Sequence, residues 1–567
     1  MIDHRWIYKE QPLPEAVQSL SKAININPHL SKVLLQRGVS NFSQAQYFFR
    51  PQLSQLHDPF LLQDMDFAVA RLKKAIDNRE KILVYGDYDV DGTTSVAMVF
   101  GYLRSFYPLC DFYIPDRHVE GYGVSEAGIQ YAVDTKVKLI IALDLGVKAL
   151  EAVHQAHVQG IDFIICDHHL PGESIPKAVA VLDPKRTDCS YPFKELSGCG
   201  LGFKLLHAFA KTYRKEEEIF NYLDLVAVSI ASDIVPINNE NRVLAYYGIQ
   251  QLNQNPRPGL KALKEIAAVK VDMDVSSVVF TLGPRINAAG RIAHAHAAVE
   301  LLLAQSDEEA NALAEKINLK NDTRREFDLN ITEEAIAMIE GNESLRNANS
   351  TVLFKSTWHK GVIGIVASRC VEKYYRPTVI LTESNDKITG SARSIRDFDL
   401  YEAISACSDL LDKFGGHKYA AGLTMDKKNL HAFCAKFEEV VTQRITNDMR
   451  SPVVEIDTIL PLKAITPKFY HVLKQMAPFG PENQKPIFEA RNVYVRNALS
   501  SFKDRHVRFL AGQENTDVAI TVVGFDMANW YERLATGDNF RMAFTVEENN
   551  YNGMTSIQLR LKDLKFD

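Results

Sequence analysis

Seven cysteines among 567 residues, spread from Cys110 to Cys434 without one CxxC pair, argue against a disulfide framework and a thiolate zinc site. Buried, reduced thiols are expected instead. No apolar run approaches the roughly 20 residues that span a bilayer, and the opening MIDHRWIYKEQPLPEA lacks the charged, apolar and small-residue succession of a secretory signal. A soluble, cytoplasmic protein without membrane contact is the expectation. Excess positive charge is missing as well. With 65 Lys and Arg against 71 Asp and Glu the net charge is −6, so a polyanion would have to be held in a local groove. The chain has neither the GxSxG elbow of a serine hydrolase nor the GxxxxGK(S/T) phosphate loop of an NTPase. It also has no exact internal repeat and no low-complexity tail.

What is present is ordinary globular composition, 46% hydrophobic and 24% charged, in a length that suits about three or four units. Residues 1–75 alternate short apolar stretches with Pro12, Pro14, Pro28 and Pro51, which predicts a helical arm. In residues 76–303 the runs KILVYGDYDVDG, VKLIIALD, IDFIICDHH and AVAVLDP are short and β-branched, with helix-length segments between them. This alternation predicts an α/β fold with a doubly wound parallel sheet. The runs are apolar nearly throughout, as strands covered on both faces are, and each ends in an aspartate. In open α/β sheets ligands bind beyond the carboxyl ends of the strands, so these carboxylates should converge. A long connector helix with a capping box at Ser306 and Glu309 is expected over 304–345, and a second α/β unit over 346–450. The short strands of 451–567 predict a small β-barrel of oligonucleotide-binding (OB) type, which strand patterning alone does not separate from a sandwich.

In GDYDVDG, Asp87, Asp89 and Asp91 stand at alternate positions directly after a strand, and in an extended backbone they would share one side. Such carboxylates repel one another unless a cation neutralises them, and hard oxygen ligands suit magnesium or manganese. The plainer alternative is an acidic turn with Gly92 at a helix start and Thr93 to Ser95 as caps. Asp144 and Asp167-His168-His169 end neighbouring strands at the same sheet edge. The two histidines could supply one imidazole ligand and one acid or phosphate contact, with Asp167 orienting a ring. Asp224 and Asp233 compete for a further ligand role. Asp233 is preferred because it precedes Val235-Pro236, where the chain breaks. A mixed carboxylate and imidazole cluster fits two divalent ions roughly 3.5–4 Å apart and phosphoester hydrolysis.

These residues resemble the DHH phosphoesterases, and within them the RecJ-type single-strand-specific exonucleases. The resemblance rests on GDYDVDGTTS, the aspartate of LDLG, DHH, ASDIVP, LGPRINAAGR, GSARS and FGGHKYAAG, in order across residues 81–425, and extends through PFGPENQKPIF. It implies a two-metal centre of manganese or magnesium held by Asp89, Asp91, Asp144, His168 and Asp233, with Asp87 nearby. His169 would contact the scissile phosphate or protonate the leaving group. The family reads VDCG or TDCG where this chain has Ala142-Leu143-Asp144-Leu145-Gly146, a departure that keeps the ligand. Arg117, beside the glycine-rich turn at Gly121 to Gly123, would hold the end of the nucleic acid. Arg285, Asn287 and Arg291 lie among small residues that let a backbone approach, which suits phosphate contacts. Ser391 and Arg393 in GSARS combine a hydroxyl and a guanidinium with accessible amides, the ingredients of an anion nest for the terminal phosphate. His417 could touch substrate from a small-residue surface, for whose glycines and alanines a helix-packing turn is the alternative. Lys503, Arg505, His506, Arg508 and Phe509 form a basic and aromatic hairpin of the kind that follows a single strand by charge and stacking.

The implied activity is removal of mononucleotides from single-stranded DNA with 5′ to 3′ polarity, in recombination and repair. The implied partners are a RecQ-type helicase and a single-strand-binding protein, with the chain itself a monomer. A cleft between the two α/β units would exclude duplex DNA. The rivals are a DHH-family oligoribonuclease or small-nucleotide phosphodiesterase, whose members generally lack the added barrel, and a scaffold that has lost its metal site.

Overall fold

The computed structural model describes residues 3–566 apart from 118, 293, 552 and 553. The chain forms two compact units, neither contiguous in sequence. The first comprises Glu10–Asn321 and Lys463–Pro486. The second comprises Asp322–Leu462 and Ile487–Asp567, together with the N-terminal residues up to Lys9.

The first unit is organised by a five-stranded parallel sheet. Its strands are β1 (Lys81–Gly86), β2 (Cys110–Tyr113), β3 (Val137–Leu143), β4 (Asp162–Cys166) and β5 (Ala180–Leu182), in the order β2-β1-β3-β4-β5. The order reverses between β1 and β3, so the switch point of this doubly wound sheet falls between the strands that end at Gly86 and Leu143. Nearly every residue of β1, β3, β4 and β5 is buried, as their unbroken apolar runs require of strands covered on both faces. Helix α1 (Val90–Arg104) starts four residues after β1. Only glycine fits at position 92 there, because a Cβ would lie 2.3 Å from the Asp87 carbonyl oxygen. Helices α2 (Gly198–Tyr213) and α3 (Leu223–Ser232) are almost wholly buried beside α1. The arm before this sheet contains the helices Pro14–Ile24, Pro28–Gln36 and Phe42–Phe49, with Asn27 and Asn41 capping the last two.

Below the sheet edge, Lys204 of α2 and Glu240 at the start of the helix Asn239–Gln254 form a fully buried ion pair. Glu240 also accepts from the Tyr191 hydroxyl and the His57 amide, so both oxygens of this buried carboxylate are hydrogen-bonded.

The connector is one uninterrupted helix, α4 (Asp307–Glu340), in which the division between the units falls. Its start is capped as the sequence implied. Ser306 Oγ accepts the Glu309 amide at 3.2 Å, and Glu309 accepts the Gln305 amide at 3.1 Å.

The second unit holds a mixed sheet of β6 (Thr351–Phe354), β7 (Thr378–Ser384), β8 (Lys387–Arg393), β9 (Lys413–His417) and β10 (Ala420–Met425), ordered β9-β10-β8-β7-β6. Only β6 and β7 are parallel. FGGHKYAAG is therefore an antiparallel hairpin, where a helix-packing turn was the alternative. Gly416 is required in it, since a Cβ would meet the Ala420 carbonyl at 2.3 Å.

The C-terminal strands are β11 (Phe488–Phe502), β12 (His506–Gln513), β13 (Ala519–Gly524), β14 (Phe540–Tyr551) and β15 (Met554–Phe566). They pair in the order β11-β12-β13-β15-β14, and β14 returns to β11. The closure makes this a five-stranded barrel and decides against a sandwich. The N-terminal stretch, expected as helices, opens with a strand. Arg5–Tyr8 pairs in parallel with Val453–Ile456, and Trp6 Nε1 donates to Asp563 at 2.7 Å.

Replacing Lys204 with methionine strands the Glu240 carboxylate in the interior and is expected to cost about 3–5 kcal/mol. Chemical denaturation followed by far-UV circular dichroism checks this.

Candidate metal centre

The strand ends deliver their carboxylates to one place. Asp87 follows β1 and is buried. The backbone then turns into α1 instead of staying extended, which corrects the one-sided arrangement expected of Asp87, Asp89 and Asp91. Asp89 is the N-cap of α1, its Oδ1 accepting the Gly92 amide at 3.0 Å, and Asp91 lies in the first helical turn. Gly92 thus packs the helix onto the loop, and the acidic-turn reading and the ligand reading describe the same residues. Asp91 is fixed from the opposite side. Its carboxylate accepts the Gly198 and Cys199 amides at the N-terminus of α2 and the Ser229 hydroxyl of α3, each at 2.7 Å. The positive end of α2 therefore faces an anion.

Asp144 follows β3 with φ 61°, a left-handed conformation uncommon outside glycine, and its amide donates to Cys166 at 2.9 Å. Gly198 leaves room for it, because a Cβ there would come within 2.6 Å of the Asp144 Cβ. Beyond β4, His168 Nε2 lies 3.2 Å from Asp144 Oδ1, 3.6 Å from Asp233 Oδ2 and 3.8 Å from Asp91 Oδ2. Asp233 ends α3 immediately before Ile234, whose φ of 61° stops the helix. Asp224, its rival from the sequence, sits on α3 in a two-point ion pair with Arg257 at 2.6 and 2.8 Å, away from the cluster. Asp167 holds the second histidine as expected. Its Oδ1 accepts a hydrogen bond from His169 Nδ1 at 2.7 Å, while its Oδ2 accepts the Val147 amide at 2.8 Å.

Three overlapping groups result: Asp87 with Asp89 and Asp144, Asp91 with His168 and Asp233, and Asp144 with His168 and His169. Within each, the potential ligand atoms lie within 4.8 Å of one another. So many buried carboxylates resist ionisation. Burial first, and then the charge of Asp89, hold Asp87 well above the ordinary carboxylate range. Burial and the neighbouring aspartates do the same for Asp144, and they push Asp233 up to about 9. Burial lowers His168, which keeps its imidazole neutral and able to ligate. His169 moves the other way. Burial opposes its charge, but the Asp167 hydrogen bond and the charges of Asp167, Asp91 and Asp89 together outweigh that and raise it. Asp87 Oδ1 is buried without a hydrogen-bond partner, an unspent acceptor in an oxygen-rich cluster. Hard donors with one or two imidazoles fit divalent magnesium or manganese.

Around this cluster, the Arg117 guanidinium lies 4.9 Å from the Tyr88 ring centre, where its charge also acts on Asp87. Arg285, Asn287 and Arg291 are on the helix Gly283–Ile292. Gly290 of this helix packs against the Tyr88 carbonyl, where a Cβ would come within 2.8 Å. Arg285 bonds to the Thr281 carbonyl and Asn318. One site residue, Tyr122, escaped sequence reasoning, and Asp183 was reached only as the aspartate that ends the run AVAVLDP. Tyr122, whose hydroxyl is 3.3 Å from His169 Nε2, is signalled only by an aromatic ring between Gly121 and Gly123, both at positive φ. Asp183 ends β5 as the other strand aspartates end theirs, is fully buried, and is raised by burial to about 7.

In the second unit, Ser391 and Arg393 lie on β8 and not in a loop. Their backbone amides belong to ladders with β7 and β10, so the expected nest of accessible amides is corrected. Strand register puts Ser391, Arg393 and His417 on one face, separated only by the small residues Ala420 and Gly422. The N-terminus of the helix Ile363–Tyr374 approaches that face. A Cβ on Gly364 would lie 2.8 Å from Ser391 Oγ and 3.0 Å from an Arg393 nitrogen. A helix terminus with a guanidinium and a hydroxyl makes an anion site by another route. His417 is exposed at the strand end. In the barrel, Phe509 is buried and unavailable for stacking, and Arg505 is paired with Asp526 at 2.8 Å. The aromatic group at that hairpin is instead Phe502, His506 and the half-exposed Phe525.

The raised carboxylates carry a stability consequence. Between the ordinary carboxylate range and about 9, the folded state binds more protons at Asp233 than the unfolded chain does, so this group lowers stability as pH rises through that window. In metal-free protein, thermal stability should fall across this range. Added manganese should restore it by an amount that grows with pH, since ligation competes with protons. Melting curves with and without manganese at pH 6 and 8.5 check both.

The comparisons agree with this layout. The model of the DHH family N-terminal domain matches residues 81–230, that of the DHHA1 domain 347–443, and that of the RecJ OB domain 456–563. The single-stranded-DNA-specific exonuclease RecJ of Bacillus subtilis is 35% identical over 558 residues, covering 98% of this chain and 70% of that protein. The protein of the same name from Escherichia coli is 30% identical, covering 95% of this chain and 96% of its own length. Among solved structures, RecJ from Thermus thermophilus in complex with Mn2+ superposes with a TM-score of 0.84 at 26% identity, over 99% of this chain and 80% of that one. A manganese-bound exonuclease RecJ matches at 30% identity and a TM-score of 0.61, over 70% of this chain and 98% of that one. With all three domain models matched in order and full-length relatives at 30% identity or above, the chain belongs to the RecJ family of DHH phosphoesterases.

Proposed function

We propose that this chain is a divalent-metal-dependent exonuclease that hydrolyses single-stranded DNA to 5′-mononucleotides from the 5′ end. The observation that carries the reading is the gathering of Asp89, Asp91, Asp144, His168 and Asp233, with Asp87 beside them, at the switch point of the sheet. Manganese or magnesium held there would polarise the phosphodiester and acidify an attacking water. The residues themselves do the rest. Asp167 accepts a hydrogen bond from His169 Nδ1, which leaves Nε2 free and favours the charged ring, the state needed to protonate a leaving oxygen. Arg117, Arg285, Asn287 and Arg291 supply donors for backbone phosphates. Ser391 and Arg393, with the helix terminus at Gly364, form a seat for a terminal phosphate, and His417 lies on the same face.

The barrel and its exposed basic hairpin favour long strands over short RNA or cyclic dinucleotides. Cooperation with a RecQ-type helicase and a single-strand-binding protein, a monomeric state and a cytoplasmic setting belong to the same reading.

With manganese, a 5′-labelled single strand should release labelled mononucleotide from the first turnover, while a 3′-label stays on long fragments until late. The opposite order overturns the polarity. Asp91→Ala should reduce hydrolysis at least about a thousandfold, since the variant loses charge at the centre of the cluster. In steady-state assays, Arg393→Ala should raise KM on 5′-phosphorylated strands and leave 5′-hydroxyl strands nearly unchanged. Equal effects on both would remove Arg393 from terminal-phosphate binding.

A further inference from the structure

Away from the metal centre, the first unit contains a cavity of about 800 Å³ between the N-terminal arm, the start of the helix Asn239–Gln254 and the segment at Glu482-Asn483. This is within the roughly 300–1,000 Å³ of small-molecule sites. Its walls are biased toward anions. Arg37 and Arg242 line it against one carboxylate, Glu482, which is exposed. Arg242 is itself buried. Its guanidinium donates to the carbonyls of Phe48, Met476, Ala477 and Pro478, and no carboxylate pairs with it among the described residues. The helix Asn239–Gln254 opens into the cavity through Asn238 and Asn239; the Asn238 side chain does not cap it, and Glu240, the carboxylate of its first turn, is committed to Lys204.

The remaining wall suits a heteroaromatic ring. Tyr47 is 61% exposed at the cavity. Asn483, only 2% exposed, leaves its Oδ1 without a partner, and Gln55 leaves its Nε2 without one. Both residues line the cavity, and an unspent acceptor and an unspent donor among its lining side chains match the mixed edge of a nucleobase.

We propose that this cavity binds a nucleotide, its phosphate toward Arg37 and the helix start at Asn238-Asn239, and its base beside Tyr47 within reach of Gln55 and Asn483. The nucleotide is either a free mononucleotide or one unit of a DNA strand. The site goes beyond the hydrolytic centre and does not depend on it.

The test uses full-length Arg393→Ala protein in EDTA, which removes the other phosphate seat and any metal-dependent binding. Titration calorimetry with dAMP should give one saturable site, tighter than for adenosine or inorganic phosphate alone. Tyr47→Ala, a change at an exposed ring, should weaken dAMP about five- to hundredfold. Arg37→Gln should weaken dAMP and leave adenosine unchanged. A ten-nucleotide strand that displaces dAMP identifies the strand as the source, and failure to displace it identifies the free nucleotide. Absence of saturable dAMP binding, or dAMP binding indifferent to both substitutions, overturns the proposal. Loss of hydrolysis in Asp91→Ala protein with dAMP binding intact would separate this site from the metal centre.

Discussion

Mutual repulsion among buried carboxylates is the constraint around which the first unit is arranged. Asp87, Asp89, Asp91, Asp144 and Asp233 crowd one volume, where burial first and then the neighbouring carboxylates raise Asp87, Asp89, Asp144 and Asp233. The fold answers part of this with fixed dipoles. The N-terminus of α2 and the Ser229 hydroxyl hold Asp91, and the Gly92 amide holds Asp89. These bonds do not supply a full positive charge. The deficit is what gives the cluster its affinity for cations, and stability and chemistry draw on the same unbalanced charge.

The two histidines show how position divides labour between identical side chains. His168 points at three aspartates and is pushed by burial toward the neutral form, the state in which an imidazole can act as a ligand. His169, one residue on, is turned to Asp167 and stays charged more readily. The difference lies in which neighbour reaches which ring nitrogen. The buried, twice-anchored Asp167 sets this, since Val147 fixes one of its oxygens and leaves the other for the ring.

Much of this was legible in the sequence because strands buried on both faces write themselves as unbroken apolar runs, and the residue that follows each run marks the sheet edge. Asp144, Asp167 and His168 are found that way, and Asp233 through the chain break that follows it. What was not legible depends on close packing between distant segments. The helix start at Val90 turns on the fit of Gly92 against Asp87. Ser391 and Arg393 read as a loop nest because glycine and serine are common in loops, whereas their strand is held between two others. Phe509 looked available for stacking, but alternation along β12 sends it inward with Val507 and Ala511. Tyr122 carries no pattern of its own, and only the folded glycine turn brings it to His169.

The path of the chain through the two units bears on how the molecule is made. The chain passes from one unit to the other at residues 9, 321, 462 and 486, so each unit is assembled from separated stretches. Three of the four carbonyls that receive Arg242 belong to residues 476–478, which leave the ribosome more than two hundred residues after the guanidinium they help satisfy. During synthesis the first unit therefore waits, incomplete, while the whole mixed sheet of the second is produced.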